Sequence, residues 1–457
     1  MGSSVNLSSL LSAFNSSASG INVQAAVAQA IAAESGPLTQ MQNEQAVVQS
    51  RTSDINIIVG DATALQNSLS ALTDPLGAMS AMTAASSDSG IVNASAAAGA
   101  LAGNHVVQVN SLATTASWYS SSVASSSTPL SAGSFTIQVG TGGPATQIQI
   151  GGSVDTLDQL ASYINGLSLG VTANVVNDSS GSRLSIVSNS SGAANNFTIT
   201  QASGLTFTQA ATGTDASLTV DGIPIDSASN TITGAVAGLT LNLTGAAPNT
   251  PVSISVAPDG TQIDSAVSAF VTAYNKVISD INQEYTVGAN GVEGPLSGDG
   301  VLPVLQSDML SAGSYAGGTG GITTMADLGI TMNNDGTLSL NTSTLDAAVQ
   351  SNFAGVQNFL AGTASNGFVS FMNNQLTSLT DPASGAFTVD LQSLSSENTD
   401  LQNQITNFQS YLSNQTTLLT NEFNQADVLL AQLPTEEAQI NAELGYSPNS
   451  SSGTGVA

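Results

Sequence analysis

Few side chains in this sequence could do chemistry. It has one histidine, His105, no cysteine, and three cations, Arg51, Arg183 and Lys276, against 31 acidic residues. One histidine without cysteine cannot build a nitrogen- or sulfur-rich metal site. The missing cysteine also excludes disulfides and a thiol nucleophile. His105 lies in the strand-like run Asn104-His105-Val106-Val107. A satisfied or exposed strand histidine explains it better than a catalytic base, and no G-x-S-x-G elbow surrounds any serine. Glycosidase chemistry needs only two carboxylates, but no acidic pair here sits in a distinctive motif, and solvated surface acids account for them. Asn333-Asn334-Asp335-Gly336 and Gly298-Asp299-Gly300 faintly suggest calcium loops. Neither continues to the glutamate of an EF-hand, and turn chemistry explains both. Lys276 is flanked by Asn275 and Val277, so it belongs to no phosphate-binding loop. Trp118-Tyr119 reads either as an exposed adhesive patch or as a buried anchor. These residues point to no catalytic centre, no cofactor and no metal.

The charge balance narrows the partners. With a formal net charge of −28, binding to nucleic acid is excluded, because its affinity rests on Lys and Arg neutralising phosphates. Anionic membrane surfaces are excluded for the same reason. No run approaches the ~18 apolar residues of a membrane span. The first fifty residues hold no Lys or Arg, so the charged region of a cleaved signal peptide is not expected.

What remains is a scaffold for association. Near the C-terminus apolar residues recur in steps of three and four at Leu391, Leu394, Leu401, Ile405, Phe408, Leu412, Leu419, Phe423, Leu430, Leu433, Ile440 and Leu444. So narrow and long a seam reads as a coiled coil and demands a partner helix. From Pro37 a second seam runs through Leu38, Met41, Val48, Ile55, Val59, Ala62, Leu69 and Leu76, predicting a ~40-residue helix that supplies the partner. Asn398 and Gln415 occupy seam positions, where they either fix register or face solvent. The steps from Gln415 through Leu419 to Phe423 form a stutter that unwinds a supercoil locally. Pro434 is expected to kink or break the helix.

Between the seams the chain reads as antiparallel β, with alternating runs such as Val106–Val109, Phe135–Val139, Leu184–Val187, Leu239–Leu243 and Val252–Val256 separated by Gly, Asn, Asp and Ser. One helix intrudes at residues 156–165, capped by Asp155 or Thr156. The serine-rich run 120–127 reads as a junction between two β modules. Broad helical periodicity returns from Ile263 to Ile281, a hairpin turns at Asn334-Asp335-Gly336, and a helix follows over 345–360.

Several of these stretches resemble the flagellar hook-associated protein 2 family. Ser19-Gly20-Ile21-Asn22-Val23, continuing to Pro37-Leu38, is similar to its opening. The run from Ala102 to Ala113 resembles its first β module, and Asp155–Asn165 with Gly170-Val171-Thr172-Ala173 and Gly192–Asn195 resembles a flagellin-type insert. Ala269–Asn275, Gly294–Asp299 and Asp335–Leu340 continue the likeness in the family's order. The resemblance implies a secreted structural protein of the filament tip, exported through the flagellar type III apparatus without a cleaved signal. It further implies a homo-oligomeric ring, often a pentamer, that retains flagellin and promotes its addition, beside hook–filament junction proteins and in some bacteria a host surface. The scarcity of charge in the leg helices departs from the family.

The expected fold is α+β and multidomain, with terminal helices forming a coiled-coil or bundled leg and two antiparallel β modules inserted at one end. Its expected division is a flexible segment 1–36, a leg of 37–78 and 261–433 with a hairpin near 328–342, a first β module of 79–119 and 215–258, an inserted module of 120–214, and a segment 434–457 mobile until assembly. The expected coiled-coil interface is Leu38, Met41, Val48, Ile55, Leu69, Leu391, Leu394, Leu401, Ile405, Phe408, Leu412 and Leu419. The function expected is filament capping, with no enzymatic activity. The alternatives are a coiled-coil-stalked adhesin whose β modules bind glycans and, more remotely, a carbohydrate-active enzyme.

Overall fold

The computed structural model describes residues 22–288, 291–318, 320–362 and 366–444. The fold is α+β, with helices from both ends of the chain forming one body and antiparallel β modules inserted between them.

The chain enters through helix α1 (Val23–Glu34), where flexibility was expected. Its alanine-rich sequence has no continuous apolar stripe, yet the Asn22 side chain caps it by accepting from the Ala25 N–H at 3.1 Å. Ala26 and Val27 are buried. Residues 1–21 of the expected flexible segment, and 445–457 of the expected mobile one, lie outside the described residues.

Helix α2 (Gly36–Ala71) follows, with Pro37 in its first turn, where a missing N–H costs nothing. It stops about a turn earlier than the heptads predict. Pro75 disfavours helical backbone at Asp74, whose Oδ1 instead accepts from Leu76 N at 2.9 Å, and Leu76 lies 81% exposed. In the second half of α2 the buried stripe widens to Ile55, Ile58, Ala62, Leu65, Leu69 and Leu72. A two-stranded seam cannot bury that breadth. Three later helices do so together.

The β head opens with β1 (Met82–Ser86), β2 (Val92–Ala96) and β3 (Gly103–Ser111). The chain then crosses into the inserted module: β4 (Ser117–Ser120), β5 (Gly133–Val139), β6 (Ala145–Ile150), helix α3 (Leu157–Gly166), β7 (Val171–Asp178), β8 (Gly181–Ser188), β9 (Phe197–Ser203) and β10 (Phe207–Ala211). It returns as β11 (Ala216–Val220), β12 (Ile223–Ser227), β13 (Thr231–Val236), β14 (Leu239–Leu243) and β15 (Val252–Pro258). The first module pairs a five-stranded sheet, β1-β15-β3-β11-β12, with a three-stranded one, β13-β14-β2. Val107, Leu218 and Ile254 from one sheet meet Leu239, Leu241 and Val92 from the other in a common core. The inserted module has sheets β10-β4-β8-β7 and β6-β5-β9. Phe135, Ile148, Leu184 and Ile186 pack there with Leu157, Leu160 and Ile164 of α3. Thr156 caps α3, its Oγ1 accepting from Gln159 N at 3.3 Å.

Pairing moves one boundary. β4 bonds to β8, with Trp118 opposite Ile186, so residues 117–119 belong to the inserted module rather than the first. The serine run was misleading because Ser120 is a buried strand end, its Oγ accepting from Leu184 N at 2.8 Å.

The leg resumes with α4 (Gly260–Glu284), α5 (Leu302–Ser311), the hairpin β16 (Ile330–Met332) and β17 (Leu338–Leu340), α6 (Thr342–Ala361), α7 (Phe368–Thr380) and α8 (Ala386–Glu443). Asp335 serves the hairpin turn, its Oδ1 accepting from Thr337 N at 3.0 Å, beside Gly336 at φ +84°. The core of the leg gathers Phe270, Tyr274, Phe359, Phe368 and Phe387 around α2. Tyr274 donates to the Met309 carbonyl at 2.7 Å, and burial holds its hydroxyl far above the usual range.

Helix α8 runs 58 residues, roughly 87 Å at about 1.5 Å per residue. It continues through Pro434 to Glu443, so of the expected kink or break it shows no break. The carbonyl that loses its donor there belongs to Leu430, which is exposed, so water can take the donor's place.

Candidate assembly surface

The predicted seam residues fall into two groups. Val48, Ile55, Leu69, Leu394, Leu401, Ile405 and Leu412 are buried, while Leu38, Met41, Leu391, Phe408 and Leu419 are half-buried. Within one chain α8 runs antiparallel to α2 and then α1. Gln45 Nε2 donates to Asn398 Oδ1 at 3.3 Å and to Gln402 Oε1 at 2.9 Å, and further along Tyr411 donates to Glu34 at 3.4 Å. Asn398 thus faces its partner helix, where it also accepts from Gln49 at 3.4 Å. Gln415 makes a bond along its own helix, to the Tyr411 hydroxyl at 3.2 Å.

The last third of α8 is different. Val428, Leu429, Leu430, Leu433, Ile440 and Leu444 are all exposed, Leu429 at 64%. So many large apolar side chains exposed in one stretch of helix make it the candidate interaction site. Seam spacing found four of these residues and missed Val428 and Leu429. The signal was present in the run Val428-Leu429-Leu430, since one narrow seam cannot take three consecutive apolar residues.

Electrostatics divide in the same way. Arg51 Nη2 lies 3.0 Å from Asp299, Arg183 Nε 2.7 Å from Asp178, and Lys276 Nζ 3.1 Å from Asp61 with Asp280 on its other side. His105 Nδ1 lies 2.8 Å from Asp221, whose other oxygen accepts from Val106 N. The histidine is therefore a strand pin. All three cations are paired with carboxylates, and the net charge of −28 leaves the surface strongly acidic. The Arg51 site carries a second carboxyl, Asp390. Burial first, and the Asp299 carboxyl second, push it up to about 6. Asp299 is itself buried, but the Val301 N–H, Asp390 and Arg51 together outweigh that and hold it below the usual carboxylate range.

The other motifs resolve as packing. Trp118 is half-buried, donating from Nε1 to the Phe197 carbonyl at 3.0 Å with its ring 6.4 Å from that of Phe197. Trp118 is an anchor, while Tyr119 beside it is exposed, with the Arg183 guanidinium 5.6 Å from its ring. Asp299 Oδ1 accepts from Val301 N at 2.8 Å, an Asx turn rather than a calcium loop. Among the described residues no group of three or more acidic, histidine or cysteine side chains could hold a metal ion, and no helix is long and apolar enough to cross a membrane.

A helical leg whose two ends of chain pair with each other, a β head and an exposed apolar helix end define a structural assembly protein. Comparison with known proteins says which. Models of the flagellar hook-associated protein 2 N-terminus and C-terminus match residues 19–116 and 213–435, and the flagellin hook IN motif matches 134–190. The chain belongs to the flagellar hook-associated protein 2 family. It is 28% identical over 422 residues to the B-type flagellar hook-associated protein 2 of Pseudomonas aeruginosa, covering 84% of this chain and 87% of that one. To flagellar hook-associated protein 2 of Escherichia coli K12 it is 26% identical over 467 residues, covering 94% and 98%. The crystal structure of the D1-D2-D3 domains of the flagellar cap protein FliD from Escherichia coli superposes with a TM-score of 0.56 at 25% identity, covering 75% of this chain and 99% of that one. The role these relatives support is that of a filament cap at the flagellar tip. Nothing in them supports the stalked adhesin.

Proposed function

We propose that this chain caps the filament as a homo-oligomeric ring, a pentamer by resemblance, that retains emerging flagellin and promotes its addition without catalysing any reaction. The observation that carries this reading is the exposed apolar end of α8 on a leg where Leu394, Leu401, Ile405 and Leu412 are already buried within the chain. That end would engage the filament, while the β head forms the plate. Hook–filament junction proteins would be neighbours during assembly, and a host surface a further contact of the plate. Export would use the flagellar type III apparatus without a cleaved signal. Removing the gene tests the reading directly: filaments should be lost or short, with monomeric flagellin in the medium. Full-length filaments without leaked flagellin would overturn it. Electron microscopy of the purified oligomer would count the subunits, and a purely monomeric chain at all concentrations would refute the ring.

A further inference from the structure

The two β modules are joined by two passages of chain, residues 112–116 and 212–215, between β3 and β4 and between β10 and β11. Modules tethered in this way move relative to one another by default. Here the two passages are bonded together. Thr114 N donates to the Thr214 carbonyl at 2.9 Å, Thr214 N donates to Thr114 Oγ1 at 3.0 Å, and the two hydroxyls lie 2.9 Å apart.

A third segment crosses over them. The loop 190–196, which joins β8 to β9 inside the inserted module, reaches onto both passages and onto the first module. Gly192 N donates to the Thr114 carbonyl at 3.0 Å, and Ala193 N to Asp215 Oδ1 at 2.7 Å. Ser191 Oγ donates to the Ala228 carbonyl of the first module at 2.7 Å. Asn196 grips Gly213 twice, accepting from its N–H at 2.7 Å and donating to its carbonyl at 2.8 Å. From the other side Asn230 holds the Ala113 backbone by both its N–H and its carbonyl, at 2.7 and 2.9 Å.

The approach is too close for side chains. Gly192 sits at φ +101°, and a Cβ there would come within 2.6 Å of the Ala228 Cβ and 2.9 Å of Asp215 Oδ1. A Cβ at Gly213 would meet the Gly192 carbonyl at 2.9 Å. Two glycines are therefore required for the strap to close at all.

We infer that the loop 190–196 is a strap that locks the two β modules into one rigid plate, with Asp215, Asn196 and Asn230 as its bolts. The lock is polar and directional, so it fixes an angle, which an apolar contact would leave free to slide. This inference does not depend on the capping role.

The chain lacks cysteine, so spin labels can be placed at will. Ser179→Cys in the inserted module and Thr233→Cys in the first, both exposed, would report the inter-module distance by double electron–electron resonance on the full chain. The locked plate gives a single narrow distribution. Asp215→Ala, which removes the acceptor for Ala193 N, should broaden it at least about two-fold, as expected when a hinge is released. Asp215→Asn keeps an acceptor oxygen and should restore the narrow distribution. Gly192→Val should broaden it further, and if that variant fails to fold, the Asp215 pair decides alone. A broad distribution in the unsubstituted chain, or an Asp215→Ala chain as narrow as its parent, overturns the lock.

Discussion

The carboxyl pair beside Arg51 makes the leg's stability depend on pH in a way that can be worked through. Asp390 on α8 is pushed up to about 6 from an ordinary 3.8. A carboxyl whose pKa is raised in the folded state binds its proton more tightly there, so its ionisation opposes folding. That cost is fully present above pH 6 and gone below about pH 4. At about 1.4 kcal/mol per pH unit the whole span corresponds to about 3 kcal/mol. Asp390 is only half-buried, and solvent screening reduces the expected cost to about 1 kcal/mol. Asp390→Asn removes the charge and keeps the shape. The variant should therefore be about 1 kcal/mol more stable than its parent at pH 7.5 and no different at pH 4. Asp299 has the opposite sign, since its lowered pKa contributes stability that is lost only below pH 3.8, so the window from 4 to 7.5 isolates Asp390. Glu284 and Asp280 are also raised, but they are common to both chains and cancel in the difference. Urea unfolding followed by far-ultraviolet circular dichroism at several pH values measures it. A variant less stable at pH 7.5, or a difference independent of pH, would refute the reasoning.

Other outcomes follow from the same geometry. Leu65→Ala, at a fully buried position on α2, should cost about 2–5 kcal/mol through the cavity it leaves, seen as a lower urea midpoint. Lys276→Met strands Asp61 and Asp280 without their cation and should cost about 1 kcal/mol at neutral pH, with the loss shrinking as acid neutralises the two carboxyls. Trp118→Phe removes the Nε1 donor to Phe197 and should lower stability by about 1 kcal/mol without affecting any surface binding. Because each cation is already paired with a carboxylate and the net charge is −28, association between copies should strengthen with salt as like-charge repulsion is screened. Sedimentation across an ionic-strength series checks this, and weakening at high salt contradicts it.

Much of the architecture was legible because its signals are local. Period-two runs become strands wherever turn residues punctuate them, and Val48, Ile55, Leu394 and Leu401 are buried in the core that α2 and α8 share. Ile58, Leu65 and Leu72 were passed over because the stripe was read as a heptad seam. Their burial comes from α4 and α7, which lie far away in sequence. Helix α1 was passed over in favour of a flexible segment for a related reason: its own residues carry little amphipathic pattern, and α8 supplies the surface it packs on. Pro434 misled because a proline's cost depends on whether water can reach the orphaned carbonyl, and exposure is not written in the local sequence. The strap between the β modules could not have been read at all. Ser190-Ser191-Gly192 looks like any polar loop until Ala228 and Asp215 arrive beside it.

The three cations have a further consequence outside folding. Trypsin cuts only after Lys and Arg, so this chain offers it three bonds, after Arg51, Arg183 and Lys276. Each lies inside a regular element, on α2, β8 and α4, with its side chain held by a carboxylate. A protein working outside the cell would thus present trypsin-like proteases with almost nothing to cleave, whatever its stability. Survival in trypsin measures the rarity of targets here, and limited digestion will report on the leg only with an enzyme that cuts after Leu, a residue exposed along the last turns of α8 at Leu429, Leu430 and Leu433.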